Sequence, residues 1–193
     1  MANGRVITGF SKPYVAKYAE ASGTVTYSNG MPLARGVEVN IEPETTDDNN
    51  FYADNLIAES EAGVFNGGTL TLTVDGLKDA ANNLIFGLPT ADEAGWANYN
   101  NAQAIPFVGV GFVIRYQEAG VVTYVPVILT KVMFNETGMT AATQEDEIDW
   151  QSQELTAQIF RDDTSTQTWK KLGSAQNTEA AAEAAIKTFL SIS

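Results

Sequence analysis

VEVNIEPETTDDNNFYADNLIAESEAGVFNGGTLTLTVDGL, residues 37–77, is the stretch that decides the fold. It opens on strict alternation: Val37, Val39 and Ile41 take every second place, with Glu38, Asn40 and Glu42 between them. Successive side chains of a strand point to opposite faces, so this pattern predicts a strand with one apolar and one acidic face. Leu70, Leu72 and Val74 alternate with Thr69, Thr71 and Thr73 in the same way. Residues 43–50 between them are too polar to bury and end in the loop-forming run Asp47-Asp48-Asn49-Asn50. Phe51 and Tyr52 follow, then a return strand over 56–61 and an Asn66-Gly67-Gly68 turn. The expectation is a long strand, a polar loop tipped by two aromatics, and two further strands.

Working outward, Asp75 is placed to cap a helix over 76–86. Leu77, Ala80, Ala81, Leu84 and Ile85 share its apolar face, and Gly87 and Pro89 stop it. Residues 90–103 make a long connection, a length that is either functional or packed by its own aromatics, here Trp96 and Tyr99. Residues 107–116 and 121–134 form the clearest hairpin, with Val108, Val110, Phe112, Ile114 and Tyr116 on one face. Residues 125–129 are apolar on both faces and call for cover on two sides, and Pro126 belongs at a bulge or an edge. Residues 135–149 read as a polar loop and 150–161 as a strand with Leu155, Ala157 and Ile159 inward. A polar turn over 162–167 and an irregular piece over 169–173 follow. Thr178 caps a last helix over 179–190, expected to pack by Ala182, Ala185, Ile186 and Phe189 with its glutamates outward. Upstream, residues 14–20 and 23–27 make a hairpin around Ala21-Ser22-Gly23, and Ser28-Asn29-Gly30 with Pro32 reads as a turn. Residues 1–13 read as an extended arm.

The fold class that follows is mainly β: a β-sandwich or barrel with one flanking α-helix, a long β-hairpin loop and a C-terminal helix. One sandwich domain covers 1–173, with its arm at 1–13 and its loop at 44–54, and 174–193 is a helical extension.

Composition narrows the chemistry. There are 24 acidic against 11 basic residues, a net charge of -13, no histidine and no cysteine. Without His or Cys, the Ser-His-Asp and Cys-His arrangements and the usual zinc sites are excluded. Such acidity gives no bulk attraction to nucleic acid or anionic membrane. The opening MANGRVITGFSKPY has no apolar core of a secretion signal, and the apolar run 105–114 is about half the ~20 residues a membrane helix needs. The expectation is a soluble protein made in the cytoplasm.

Three acidic clusters remain: Asp47-Asp48, Glu145-Asp146-Glu147 with Asp149, and Asp162-Asp163. Paired carboxylates can hydrolyse glycosides or hold calcium, but none of these has EF-hand spacing and all read as solvated loop charge. Gly109-Val110-Gly111 lies inside a strand pattern with no helix after it, so it is not a dinucleotide loop. Phe51, Tyr52, Trp96, Trp150 and Trp169 read as core or interface aromatics. No residue is assigned to catalysis, a cofactor or a metal.

One resemblance gathers these pieces. The acidic strand VEVNIEPE, the loop closing on FYADN, GGTLTLTVDGLKDAANNLIFG, the hairpin FVGVGFVIRY/TYVPVILTKVMF and the late strand ELTAQIFRDD resemble the major tail proteins of long, non-contractile-tailed bacteriophages. The opening ANGRVITGFSKPYVAKY resembles that family's N-terminal arm. The resemblance implies a β-sandwich whose copies form sixfold rings stacked into a hollow tube, through which DNA passes without specific binding. It implies a virion tail protein, synthesised in the host cytoplasm, whose partners are itself, a tape measure, and terminator and tip proteins. On that footing Glu38, Asn40 and Glu42 are expected to line the lumen, with Val37, Val39 and Ile41 in the core. Thr45, Thr46, Asp47, Asp48, Asn49, Asn50, Phe51 and Tyr52 are expected to form an inter-ring loop. Two rival readings are a β-sandwich binding module of adhesin or carbohydrate-binding type and an enzyme using a carboxylate pair.

Overall fold

The residues with the densest apolar alternation, β7 (Val108–Glu118) and β8 (Val121–Phe134), form the central hairpin. Ala119 and Gly120 make its two-residue turn, both at positive φ, as a tight hairpin requires. The computed structural model describes residues 4–89, 92–136, 138, 143 and 150–192. Ahead of the hairpin come β1 (Val6–Ala21), β2 (Thr24–Pro32), β3 (Gly36–Thr45), β4 (Asn49–Ala53), β5 (Leu56–Glu61), β6 (Phe65–Val74) and α1 (Asp79–Phe86). After it come β9 (Gln153–Phe160), β10 (Lys170–Leu172) and α2 (Glu179–Phe189).

One antiparallel sheet runs β2-β1-β7-β8-β9-β6-β3, with β10 added beside β8. Its two halves face each other across a shared core. Val15, Val110, Phe112 and Leu129 come from β1, β7 and β8, and Leu70, Leu72, Leu155 and Ile159 from β6 and β9. Ala81, Ile85 and Phe86 of α1 join that core. The other face of β1, β7 and β8 carries Tyr14, Ala16, Val113 and Ile128, which α2 covers with Ala182, Ile186 and Leu190. The architecture is therefore a sandwich with a flanking helix and a C-terminal helix. Residues 125–129 are buried on both faces, as their apolar run requires.

Several local expectations are corrected. The arm at 1–13 is strand from Val6 onward, pairing Val6 with Gln117, and Phe10 packs edge-on against Phe112 with ring centroids 5.5 Å apart. Ser28-Asn29-Gly30 is not a turn but a bulge within β2, where Asn29 at φ 52° and Gly30 stand opposite Ala16 alone. Asn66-Gly67-Gly68 lies inside β6, and the chain turns before it, at 62–64. Gly68 is needed because β3 presses close: a Cβ there would lie 2.7 Å from the Glu42 carbonyl oxygen.

Asp75 caps no helix. Its carboxylate accepts the Arg35 backbone N–H at 2.9 Å, and α1 starts only at Asp79 behind Lys78. Ala80 faces solvent, while Gly87 ends the helix at φ 60° as expected. Trp96 packs against little and is 71% exposed, whereas the Tyr99 hydroxyl accepts a hydrogen bond from Asn82 at 3.0 Å. Pro126 stands at no register shift, but on the side away from β7 it lies at a local edge, where no strand pairs with it. Its carbonyl takes the Gly173 N–H at 2.8 Å, just past the end of β10, so its missing donor falls where that ladder has already stopped. The irregular piece at 169–173 contains β10. The Thr178 hydroxyl caps α2 by accepting the Ala181 N–H at 3.2 Å, but Ala185 is exposed and Glu183 is turned in against β1. The loop over 135–149 falls mostly outside the described residues.

Candidate functional site

The first surface is the outer face of β3, β6 and β9. Glu38, Asn40 and Glu42 are exposed, and Val39 and Ile41 turn to the core. Val37 does not: it is 60% exposed, because the register slips between Gly36 and Glu38 and leaves Val37 as the extra residue of a bulge. Cross-strand pairing extends the face in rows. Glu38 stands beside Thr73 and Glu154, Asn40 beside Thr71 and Thr156, and Glu42 beside Thr69 and Gln158. Every member is acidic, hydroxylic or amide, and none is basic. Asn40 donates to Glu42 at 2.8 Å, which ties two of them along the strand. The charge on these rows is negative alone, which disfavours anions. The threonines that complete it belong to β6 and β9, and the sequence gives their alternation but not their pairing with β3.

The second surface is the β4–β5 hairpin. Thr45 ends β3, Thr46, Asp47 and Asp48 form the connection, and Asn49, Asn50, Phe51 and Tyr52 lie on β4. The polar loop is thus shorter than expected, and the two aromatics stand on a strand. The turn itself is Asp54-Asn55, at φ 50° and 63°. The root is fixed: Thr46 N–H donates to the Val64 carbonyl at 2.9 Å, and Asp48 accepts the Gly63 N–H at 2.9 Å. Among the described residues the hairpin pairs only with itself. It leaves Phe51, Tyr52, Leu56 and Ile57 between 55% and 72% exposed. Tyr52 pairs with Ile57 and Ala53 with Leu56, so apolar side chains occupy both of its faces.

Within the acidic pair Asp162-Asp163, Asp162 is buried rather than solvated, and Asp163, though exposed, is paired. Asp162 is 5% exposed, and its carboxylate accepts the Thr164 and Thr168 N–H groups at 3.2 and 3.0 Å. Asp163 meets the Lys131 ammonium at 2.6 Å and the Tyr18 hydroxyl at 2.7 Å. Lys131, and then Tyr18, hold the Asp163 carboxyl below the usual carboxylate range. Burial, and then the bond to Asp163, push the Tyr18 hydroxyl up to about 12. An Asp followed by Thr at the second place signals such a turn, and DDTSTQT carries it. Asp162→Ala leaves two backbone donors without their partner and is expected to cost about 1–3 kcal/mol, read as a lower melting temperature.

Of the other acidic clusters, Asp48 serves the hairpin root, and 145–147 and 149 lie outside the described residues. A cleft of about 430 Å³ beside α1 is lined by Asp75, Asn82, Tyr99, Glu136 and Glu154, with none of the acidic pairs named from the sequence. Among the described residues no group of His, Cys, Asp or Glu could hold a metal ion, and no helix is long and apolar enough to cross a membrane. Trp169 stacks on Phe65 at 4.3 Å, while Trp150 is 85% exposed. The chain matches no protein-family model and no curated protein.

Proposed function

We propose that this chain is a ring-forming subunit of a hollow tube of the kind built by the major tail proteins of long, non-contractile-tailed bacteriophages. The observation that carries the reading is a set of three rows across β3, β6 and β9 that hold no base and end on an open strand. Among the described residues β3 pairs only with β6, and β2 only with β1, so the sheet offers an open edge on each side. A sheet of that form continues into a copy of itself, and closure of the ring removes the edges. The acid-and-threonine face then becomes the lumen wall. Each base that pairs with a phosphate adds salt-dependent affinity and would brake a moving duplex, so a base-free wall suits passage of DNA. The apolar hairpin stands ready to meet the next ring. In this reading the subunit belongs to a virion tail, is made in the host cytoplasm, meets tape measure, terminator and tip proteins, and performs no catalysis.

Electron microscopy of concentrated purified protein tests it: rings or tubes are expected, whereas a binding module would stay monomeric. The absence of cysteine allows a sharper test of the lumen. Asn40→Cys supplies one thiol on the face. In assembled tubes a small maleimide is expected to label it at least tenfold faster than a protein-sized maleimide conjugate, while free subunits react with both. Equal labelling of tubes by the large reagent would put the face on the outside.

A further inference from the structure

Between Ser11 and Tyr14 the pairing of β1 with β7 slips. Ser11 faces Val113 and Tyr14 faces Gly111, so β1 carries one residue more than its partner. Lys12 lies in this bulge at φ 57°, the left-handed region that a lysine disfavours. Because side chains alternate, one extra residue exchanges the two faces of what precedes it, here as far as the next shift, between Ile7 and Gly9. After the bulge, Val15 points into the main core and Tyr14 and Ala16 toward α2. Before it, Phe10 pairs with Ile114 and points into the main core against Phe112. Without the bulge, Ser11 would take the place opposite Ile114 and Phe10 would turn out opposite Arg115.

The groups that hold the bulge belong to α2. Glu183 accepts from the Tyr14 hydroxyl and pairs with Lys12 at 3.3 Å and Lys187 at 2.9 Å. The Tyr14 hydroxyl, then Lys187 and Lys12, hold the Glu183 carboxyl down at about 2. The Ser11 hydroxyl donates to Glu179. Three side chains of the bulge segment therefore end on one edge of the helix. The helix is seated by its other edge in a groove floored by glycine. A Cβ would lie 2.3 Å from Ile192 if built on Gly30, 3.0 Å from Leu190 on Gly109, and 2.5 Å from Ile186 on Gly111.

We propose that α2 is a latch for the register of the N-terminal half of β1. Docked, it holds the Lys12 bulge and keeps Phe10 in the core. Lifted, it lets residues 6–11 slip by one position and expose Phe10. The latch acts within a single chain and does not depend on the tube reading.

Hydrogen exchange and ring-to-ring NOEs on the whole chain test it. Glu183→Ala removes the acceptor and leaves the apolar seam of α2 in place. The expected result is exchange at least tenfold faster for the amides of 6–11, loss of the Phe10–Phe112 NOE, and unchanged protection over 65–74 and 153–160. Adding Lys12→Gly to Glu183→Ala relieves the left-handed backbone and should restore at least half of the lost protection on a logarithmic scale. Unchanged exchange at 6–11 in Glu183→Ala would overturn the latch, and so would a double variant with no recovery. Equal loosening over 65–74 would mean that α2 holds the whole fold, and the latch would fall with that result too.

Discussion

Phe51→Ala combined with Tyr52→Ala is expected to leave a folded subunit with an unchanged melting temperature that no longer stacks into tubes. Both rings stand on β4, 64% and 61% exposed, and neither belongs to the core. Truncating them removes little that the single chain buries. A two-stranded hairpin alone is marginal in water, because ordering costs about 1–2 kcal/mol per residue. Full burial against a neighbouring ring returns up to about 1.5–3 kcal/mol for each aromatic. Leu56 and Ile57 beside them extend the same patch. One such contact is weak, but in the proposed tube each ring would repeat it around its circumference, so stacking would be cooperative. Electron microscopy beside a melting curve reads both halves of the expectation. Normal tubes from the double variant would refute the docking role, and a large fall in melting temperature would place the rings in the subunit's own core.

Phe112→Ala should have the opposite profile. The side chain is 1% exposed, meets Phe10 edge-on, and lies in the core shared by both halves of the sheet. Its loss removes transfer free energy and leaves a cavity, together about 3–5 kcal/mol. Against a typical stability of about 5–15 kcal/mol that is a large part of the whole. Urea unfolding followed by circular dichroism measures it, with Trp150→Ala as the exposed counterpart, expected within about 0.5 kcal/mol of the parent chain. A difference under about 1 kcal/mol for Phe112→Ala would show a core able to collapse around the gap.

Alternation was legible because it has a physical period. Leu70, Leu72 and Val74, Leu155, Ala157 and Ile159, and the inward set of β7 all point where their spacing puts them. What the pattern does not carry is where the period breaks. Val37, Lys12 and Asn29 each sit at a bulge, and a bulge is set by the partner strand and by what packs behind it, not by its own residue alone. Asp75 misled for a related reason: a capping residue near a helix start was instead claimed by a distant backbone N–H, that of Arg35. Of the candidate surfaces, Glu38, Asn40 and Glu42 could be placed on one face from the sequence, but their threonine neighbours required knowing that β6 lies between β3 and β9. The hairpin hid behind its polarity, since Asn49 and Asn50 look like loop and yet begin a strand.

The pairing of β1 with β7 also sets a clock. Val6 finds its partner only at Gln117, so at about 5–20 residues synthesised per second β1 waits about 5–20 s for the strand that will cover it. Until then β2 is the one strand among the described residues that can hydrogen-bond to it, and Tyr14, Val15 and Ala16 lack the cover that buries them all in the finished fold. A chain in that interval is open to recruitment by others at its raw edge. The bulge at Lys12, with Pro13 beside it, interrupts that edge of β1 and makes it a poor template for a stranger's strand. Features that look like irregularities in the completed subunit therefore have their use earlier, during the seconds when half of its sheet does not yet exist.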